Sequence, residues 1–122
     1  MNLSIIIVSF NTVKLTHDCI ASLYRSLDHA TFKYEIIVVD NISTDGTREM
    51  LKKNFPKVRC IANRENVGYG KANNQGIIAA KGEFILLLNS DTVALNSSIS
   101  KLYSFAKQHA NAFVGGKLLN AD

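Results

Sequence analysis

The sequence predicts an α/β fold, a mostly parallel sheet with helices on both faces. Short apolar runs alternate with longer stretches of helical periodicity, which is the pattern of βαβ units. Three of the runs are apolar on both faces, as strands are when crossover helices cover them. With 122 residues, 47% apolar content, 20% charge and one proline, the chain has the size and composition of one domain with a proper core.

The elements follow in order. Ile5 to Val8 is the first strand. Leu15, Cys19, Ile20, Leu23, Tyr24 and Leu27 then recur at helical spacing, with Thr12 or Thr16 as cap. Ile36 to Val39 is the second strand, and a helix begins near Asp45-Gly46-Thr47 and runs to about Asn54, where Phe55-Pro56 ends it. Val58 to Ala62 is the third strand; the next helix covers roughly Lys71 to Ala80 and stops at Lys81-Gly82. Phe84 to Leu88 forms the fourth strand, a helix spans about Ser97 to His109, and Ala112 to Val114 is a weaker fifth strand. The expected order is β-α-β-α-β-α-β-α-β, without repeat, low-complexity segment or linker.

Composition narrows the function classes. The net charge of +4 comes from 14 basic and 10 acidic residues that are scattered, so nucleic acid is not an expected partner. Lys52, Lys53, Lys57 and Arg59 read as a solvated face. Cys19 and Cys60 lie among apolar neighbours and are expected as buried, reduced thiols of a cytoplasmic protein. The longest apolar run, Phe84 to Leu88, is far below the ~20 residues of a spanning helix. The amino terminus reads as a strand, not a signal peptide. His17, His29 and His109 have no metal-ligand spacing, and no G-x-S-x-G elbow occurs.

In an open parallel sheet, ligands bind beyond the carboxyl ends of the strands. Here those ends are polar: Ser9 and Asn11, Asp40 and Asn41, Asn63 to Asn66, and Asn89-Ser90-Asp91. Asn11, Asp40, Asn66 and Asp91 are expected on one rim. Asp40 can accept from an N–H donor such as a pyrimidine base, or from a ribose hydroxyl, if Ser43 and Asp45 do the capping. Asp91 is a single carboxylate, a plausible magnesium ligand only where a diphosphate supplies further oxygens. The glycine-rich segment Asn66 to Gly76 opens a helix but matches neither phosphate-loop pattern. Lys71 and Arg64 within and before it are either solvated or charge partners of a ligand.

Four segments together carry a resemblance: Ile6-Ile7-Val8-Ser9-Phe10-Asn11, Val39 to Thr47, Asn66 to Gly76, and Leu86-Leu87-Leu88-Asn89-Ser90-Asp91-Thr92. By them the chain resembles, over essentially its whole length, the amino-terminal nucleotide-binding half of a family 2 glycosyltransferase with the GT-A fold. The last two segments most resemble the rhamnosyltransferase-like branch. The resemblance implies inverting transfer of a sugar from a UDP- or dTDP-linked donor to a glycan or lipid-linked acceptor in cell-wall or polysaccharide biosynthesis, at the inner face of the membrane. It implies donor contacts from Ser9, Asn11, Asp40, Asn66, Gly68, Lys71, Asn74 and Asn89, and Mg or Mn held by Asp91. Asn89 stands where the family's D-x-D motif has its first acid. The general base is expected beyond Asp122, so the chain reads as a partial catalytic domain. The sheet edge this uncovers favours self-association.

Two other classes compete. A phosphoacceptor receiver domain needs an acidic pair after the first strand and an aspartate after the third, and neither Ser9-Phe10-Asn11 nor Ala62-Asn63-Arg64 supplies them. A noncatalytic nucleotide-binding or interaction module is the stronger rival.

Overall fold

The structure is a computed structural model that describes residues 1–119. Among these residues it contains strands β1 (Leu3–Ser9), β2 (Tyr34–Asp40), β3 (Arg59–Ala62) and β4 (Phe84–Asn89). Helices α1 (Val13–Ser26), α2 (Thr47–Asn54), α3 (Tyr69–Ala79) and α4 (Ser98–Gln108) follow β1, β2, β3 and β4 in turn. The strands form one parallel sheet in the order β3-β2-β1-β4. The predicted fold class and the first eight elements therefore hold, with ends shifted by one or two residues.

This order explains the layering. The chain moves from β1 to β2 to β3 in one direction, then crosses back past β1 to β4. Right-handed crossovers in opposite directions put their helices on opposite faces. Ile5, Ile7, Ile36 and Val38 accordingly form one core with Cys19, Ile20 and Leu23 of α1, Leu51 of α2, and Ile99 and Tyr103 of α4. Ile6, Val8, Ile37 and Val39 point the other way and pack on Ala72 of α3. The helix α3 lies so close that a Cβ at Gly76 would sit 2.5 Å from Ile6 Cγ2.

Three expectations are corrected. Ala112 to Val114 is not a strand; it runs past β4 and α4 without ladder partners and lines an apolar groove with Phe84 and Leu102. A short run followed directly by Gly115-Gly116 offers too little side-chain packing to hold a ladder. The thiol of Cys60 is exposed, because β3 is an edge strand, whereas Cys19 is buried. Only β1 and β2 are central; Ile85 and Leu87 of the other edge strand, β4, are exposed. No helix among the described residues is long and apolar enough to cross a membrane.

Gly76 is thus a packing residue within a segment that reads like a ligand loop. Gly76→Val is expected to destabilise the fold by about 1–3 kcal/mol, the usual cost of forcing extra carbons into a filled core. Urea unfolding checks this, and an unchanged midpoint with an unchanged slope would refute the close approach.

Candidate functional site

All four strands end on the same side, since all are parallel and β1 is in register with both neighbours: Ser9 pairs with Asp40, and Val8 with Asn89. Asp40 in turn pairs with Ala62 of β3. The predicted rim therefore exists, and β1 marks the point where the strand order reverses, the usual ligand crevice of such sheets.

Asp40 is the centre of the rim. Its side chain is 0% exposed and forms an ion pair with Arg48 of α2, whose Nε donates to Oδ2 at 2.7 Å. The Ser43 amide also donates to Oδ2, at 3.0 Å. Ser9 Oγ donates to Oδ1 at 3.0 Å, and the Ser43 hydroxyl donates to the same oxygen. Burial pushes the Asp40 carboxyl up, but the donors from Ser43, Arg48 and Ser9 outweigh it and hold the group below the ordinary aspartate range. The expectation that capping elsewhere leaves Asp40 unengaged is corrected: Ser43 caps nothing and bonds Asp40 instead.

Asp45 does cap, and it serves two helices. Its Oδ1 accepts from the Thr47 amide and hydroxyl at the start of α2, and its Oδ2 accepts from the Val13 amide at the start of α1. Thr12 occupies the cap position of α1 but makes no side-chain cap bond; its hydroxyl pairs with Thr16 and Ser90. The β1–α1 turn is locked to the same loop, since Asn11 donates its amide to Ser43 Oγ and accepts from the Thr44 amide. Asn11 and Ile42 have φ of 51° and 60°. Asparagine tolerates this conformation, but for β-branched Ile42 it is strained, and such strain clusters at functional sites.

A second network ties β2 and β3 to α3. Asn63 Nδ2 donates to Asn41 Oδ1 at 2.9 Å and to Gln75 Oε1 at 2.8 Å, while Gln75 Nε2 donates to Asn63 Oδ1 at 3.0 Å. Asn41 Nδ2 reaches the Gly68 carbonyl at 3.2 Å. Gly68 takes a φ of 86° at the head of α3, a value that suits glycine, and Asn66 Oδ1 accepts its amide. Lys71 and Asn74 are exposed on the first turns of α3. Tyr69 donates its hydroxyl to Asn89 Oδ1 at 2.6 Å, which joins this helix to the end of β4. Asp91 is exposed beyond it.

The structure thus joins Ser9, Asn11 and Asp40 by direct or one-residue hydrogen-bond links, and joins Gly68 to Asn66 and, through Tyr69, to the end of β4 at Asn89. Lys71, Asn74 and Asp91 share the rim as exposed groups. Among the described residues no cluster of three or more carboxylate, histidine or cysteine groups could hold a cation. Asp91 is a lone carboxylate, and the Asn89 side-chain oxygen is already bonded to Tyr69.

Sequence reasoning placed Asn41 and Asn63 only among the polar strand ends, and Tyr69 and Gln75 only within the Asn66 to Gly76 segment, and it missed Arg48. One signal could have found Arg48. It lies in the first turn of a helix, where the dipole disfavours a cation, so an acidic partner nearby was to be expected.

A carboxylate held below its ordinary range stabilises the fold above its unfolded pKa of about 3.9, and that contribution is lost as pH falls through the folded value. Unfolding free energy should therefore be level from neutral pH to about 5 and fall below that. Asp40→Asn should show a shallower acid loss, the other carboxylates held below their ordinary range, Asp45, Glu35 and the exposed Asp18, supplying the remainder. Denaturant titrations across this range check it; identical acid slopes would refute the role given to Asp40.

The comparisons with known proteins agree with this fold. Residues 4–121 match the family model described as "Glycosyl transferase family 2". The chain is 34% identical over 122 residues to a poly(ribitol-phosphate) beta-glucosyltransferase of Bacillus spizizenii, an alignment covering 97% of the chain and 19% of that protein. It is 30% identical to the glycosyltransferase GlyG of Streptococcus pneumoniae over 98% of the chain and 40% of the relative. The solved structure of S. aureus TarS 1–349 in complex with UDP-GlcNAc superimposes with a TM-score of 0.77 at 29% identity, covering 90% of this chain and 32% of that one. The chain therefore spans 19% and 40% of the lengths of these two curated relatives. A family match over nearly all of the chain, together with this structural likeness, establishes that the chain belongs to glycosyl transferase family 2.

Proposed function

We propose that these residues form the donor-binding part of an inverting glycosyltransferase, which moves a sugar from a nucleoside-diphosphate sugar to a hydroxyl of a glycan or lipid-linked acceptor. The observation that carries this is the buried, ionised Asp40 at the end of β2, on the same rim as Asn89 and Asp91 beside the switch point of the sheet. Asp40 accepts from the base, and Ser9 and Asn11 border the nucleoside. Asn66, Gly68 and Asn74 shape the pocket wall, and Lys71 offsets phosphate charge. Asn89 faces the diphosphate and sugar.

Mg or Mn fits this rim only in company with the ligand, because one carboxylate is a poor cage and magnesium ordinarily adds substrate phosphates to one or two carboxylates. Asp91 would hold it, and when bound it would stabilise the departing diphosphate. A UDP-linked donor is supported by the UDP-GlcNAc named for TarS, and a wall-polymer acceptor by the name of the Bacillus relative. A dTDP-linked rhamnose donor is the reading that the form of the Asn66–Gly76 and Asn89–Asp91 segments supports. A cytoplasmic site of action, at the inner face of the membrane, suits a nucleotide-sugar donor.

Calorimetry with UDP, with and without Mn, tests the reading. Wild type should bind more tightly with metal, Asp91→Ala should lose that enhancement, and Asp40→Ala should weaken binding with or without metal. Equal enhancement in wild type and Asp91→Ala would overturn the assignment of Asp91. Adding dTDP-rhamnose and UDP-GlcNAc as competitors ranks the two donor classes.

Inverting transfer also needs a base at the acceptor hydroxyl, which is typically worth about 10²–10⁴-fold. No residue here matches the family's base. Residues 1–122 alone should release nucleoside diphosphate in the presence of acceptor at least about 10²-fold more slowly than the chain carrying its native downstream residues. Comparable turnover would place a base within these residues and refute this division of labour.

A further inference from the structure

We propose that Arg48 sets nucleobase selectivity, by pinning Asp40 as a fixed acceptor whose replaceable partners are serine hydroxyls. The inference rests on the reading that Asp40 meets the base.

An ionised carboxylate has about four lone-pair sites. Four donors already fill those of Asp40: the Ser9 and Ser43 hydroxyls on Oδ1, and the Ser43 amide and Arg48 Nε on Oδ2. A base N–H can therefore bind only by replacing one of them. The Ser43 amide is fixed by the backbone. Arg48 is fixed at two points, because its Nη2 also donates to the Asn63 carbonyl at 2.8 Å, and Asn63 is held by Asn41 and Gln75. A serine hydroxyl can be swung aside by rotation about its own Cα–Cβ bond, and Ser9 is the freer of the two because the Ser43 hydroxyl also accepts from the Asn11 amide. Oδ1 is thus the exchangeable oxygen and Oδ2 the anchored one.

This anchoring decides which base is accepted. With Arg48 in place, Asp40 only accepts, so it pairs with a ring N–H, as in uracil, thymine or guanine, and opposes the ring nitrogen lone pair of cytosine. The position of Arg48 supports a dedicated role. Its side chain is only 35% exposed and lies at the start of α2, where the helix dipole repels it. Among the described residues it is the ion partner of Asp40, and from β3 the thiol of Cys60 feels the same carboxylate.

The test is the ratio of UDP to CDP affinity, from which diphosphate and ribose contacts cancel. It is measured by calorimetry on this chain at about pH 7.5 and about pH 5, where an unanchored carboxyl begins to take up protons. Wild type should prefer UDP at least about tenfold at both values, a difference of about 1.4 kcal/mol. Arg48→Gln should reduce the preference to below about threefold, and further at the lower pH. Arg48→Lys keeps the charge but cannot bridge to Asn63, and should restore the preference in part. Thermal melts report whether each variant is folded; if Arg48→Gln is not, Arg48→Lys decides, and a wild-type ratio in that variant overturns the bridge. A wild-type ratio in folded Arg48→Gln overturns the role of Arg48 while leaving the Asp40 reading intact. A wild-type chain that binds neither nucleotide, or both equally, overturns the Asp40 reading and this inference with it.

Discussion

Asp40 carries a charge with no exposed surface, and much of the rim follows from what that demands. A buried ion is tolerated only when its partners replace the water it has lost, and an incomplete set costs several kcal/mol. The partners here come from three separate places: Ser9 at the end of β1, Ser43 in the loop after β2, and Arg48 in α2. Satisfying one carboxylate therefore fixes the relative position of two strands, a loop and a helix. The strain at Ile42 belongs to the same demand, since the loop must bend sharply to return the Ser43 amide and hydroxyl to Asp40. Asp45, one turn further on, fastens the heads of α1 and α2 to this loop.

The reversal of strand order after β3 adds the other half of the rim. Had β4 continued outward beyond β3, Asn89 and Asp91 would lie far from Ser9 and Asn11. Crossing back beside β1 places them next to the β1–α1 turn, where the Thr12 and Ser90 hydroxyls meet at 3.4 Å. The helix α3 that makes this crossing must lie flat on β1 and β2, and Gly76 permits it. The amides of Asn41, Asn63 and Gln75 then hold its near end, in a closed set of hydrogen bonds that would be costly if any member were unpaired.

The fold was legible because its signal is local. Alternating apolar runs and helical spacing are visible in one chain, and so are the polar residues at strand ends. Strand order is not local, so the sequence could not tell that β3 and β4 are edges. That is why Cys60 read as buried and why three runs, rather than the two central strands, read as covered on both faces. The site was legible by position but not by connection. Ser43 and Asp45 both look like caps, yet only Asp45 is one, and the difference depends on where Asp40 sits three residues before Ser43. Arg48 alone left a readable trace, as a cation at the wrong end of a helix.

The two ends of the rim differ in how far they are prepared before a ligand arrives. Around Asp40 nearly every donor and acceptor is already paired, so the ordering cost has been met in folding and little is lost again on binding. Such a region discriminates well, because a poorly matched group must break good bonds and receives nothing comparable in return. At the other end, Asp91, Lys71 and Asn74 are exposed. In the proposed function, groups of this kind would become ordered only when an anion and a cation arrive together, so binding there would be cooperative between diphosphate and metal and weak for either alone. In the function proposed above, a rim built in this way would read the nucleoside with a rigid site and leave the reacting end adjustable, where charge would move during transfer.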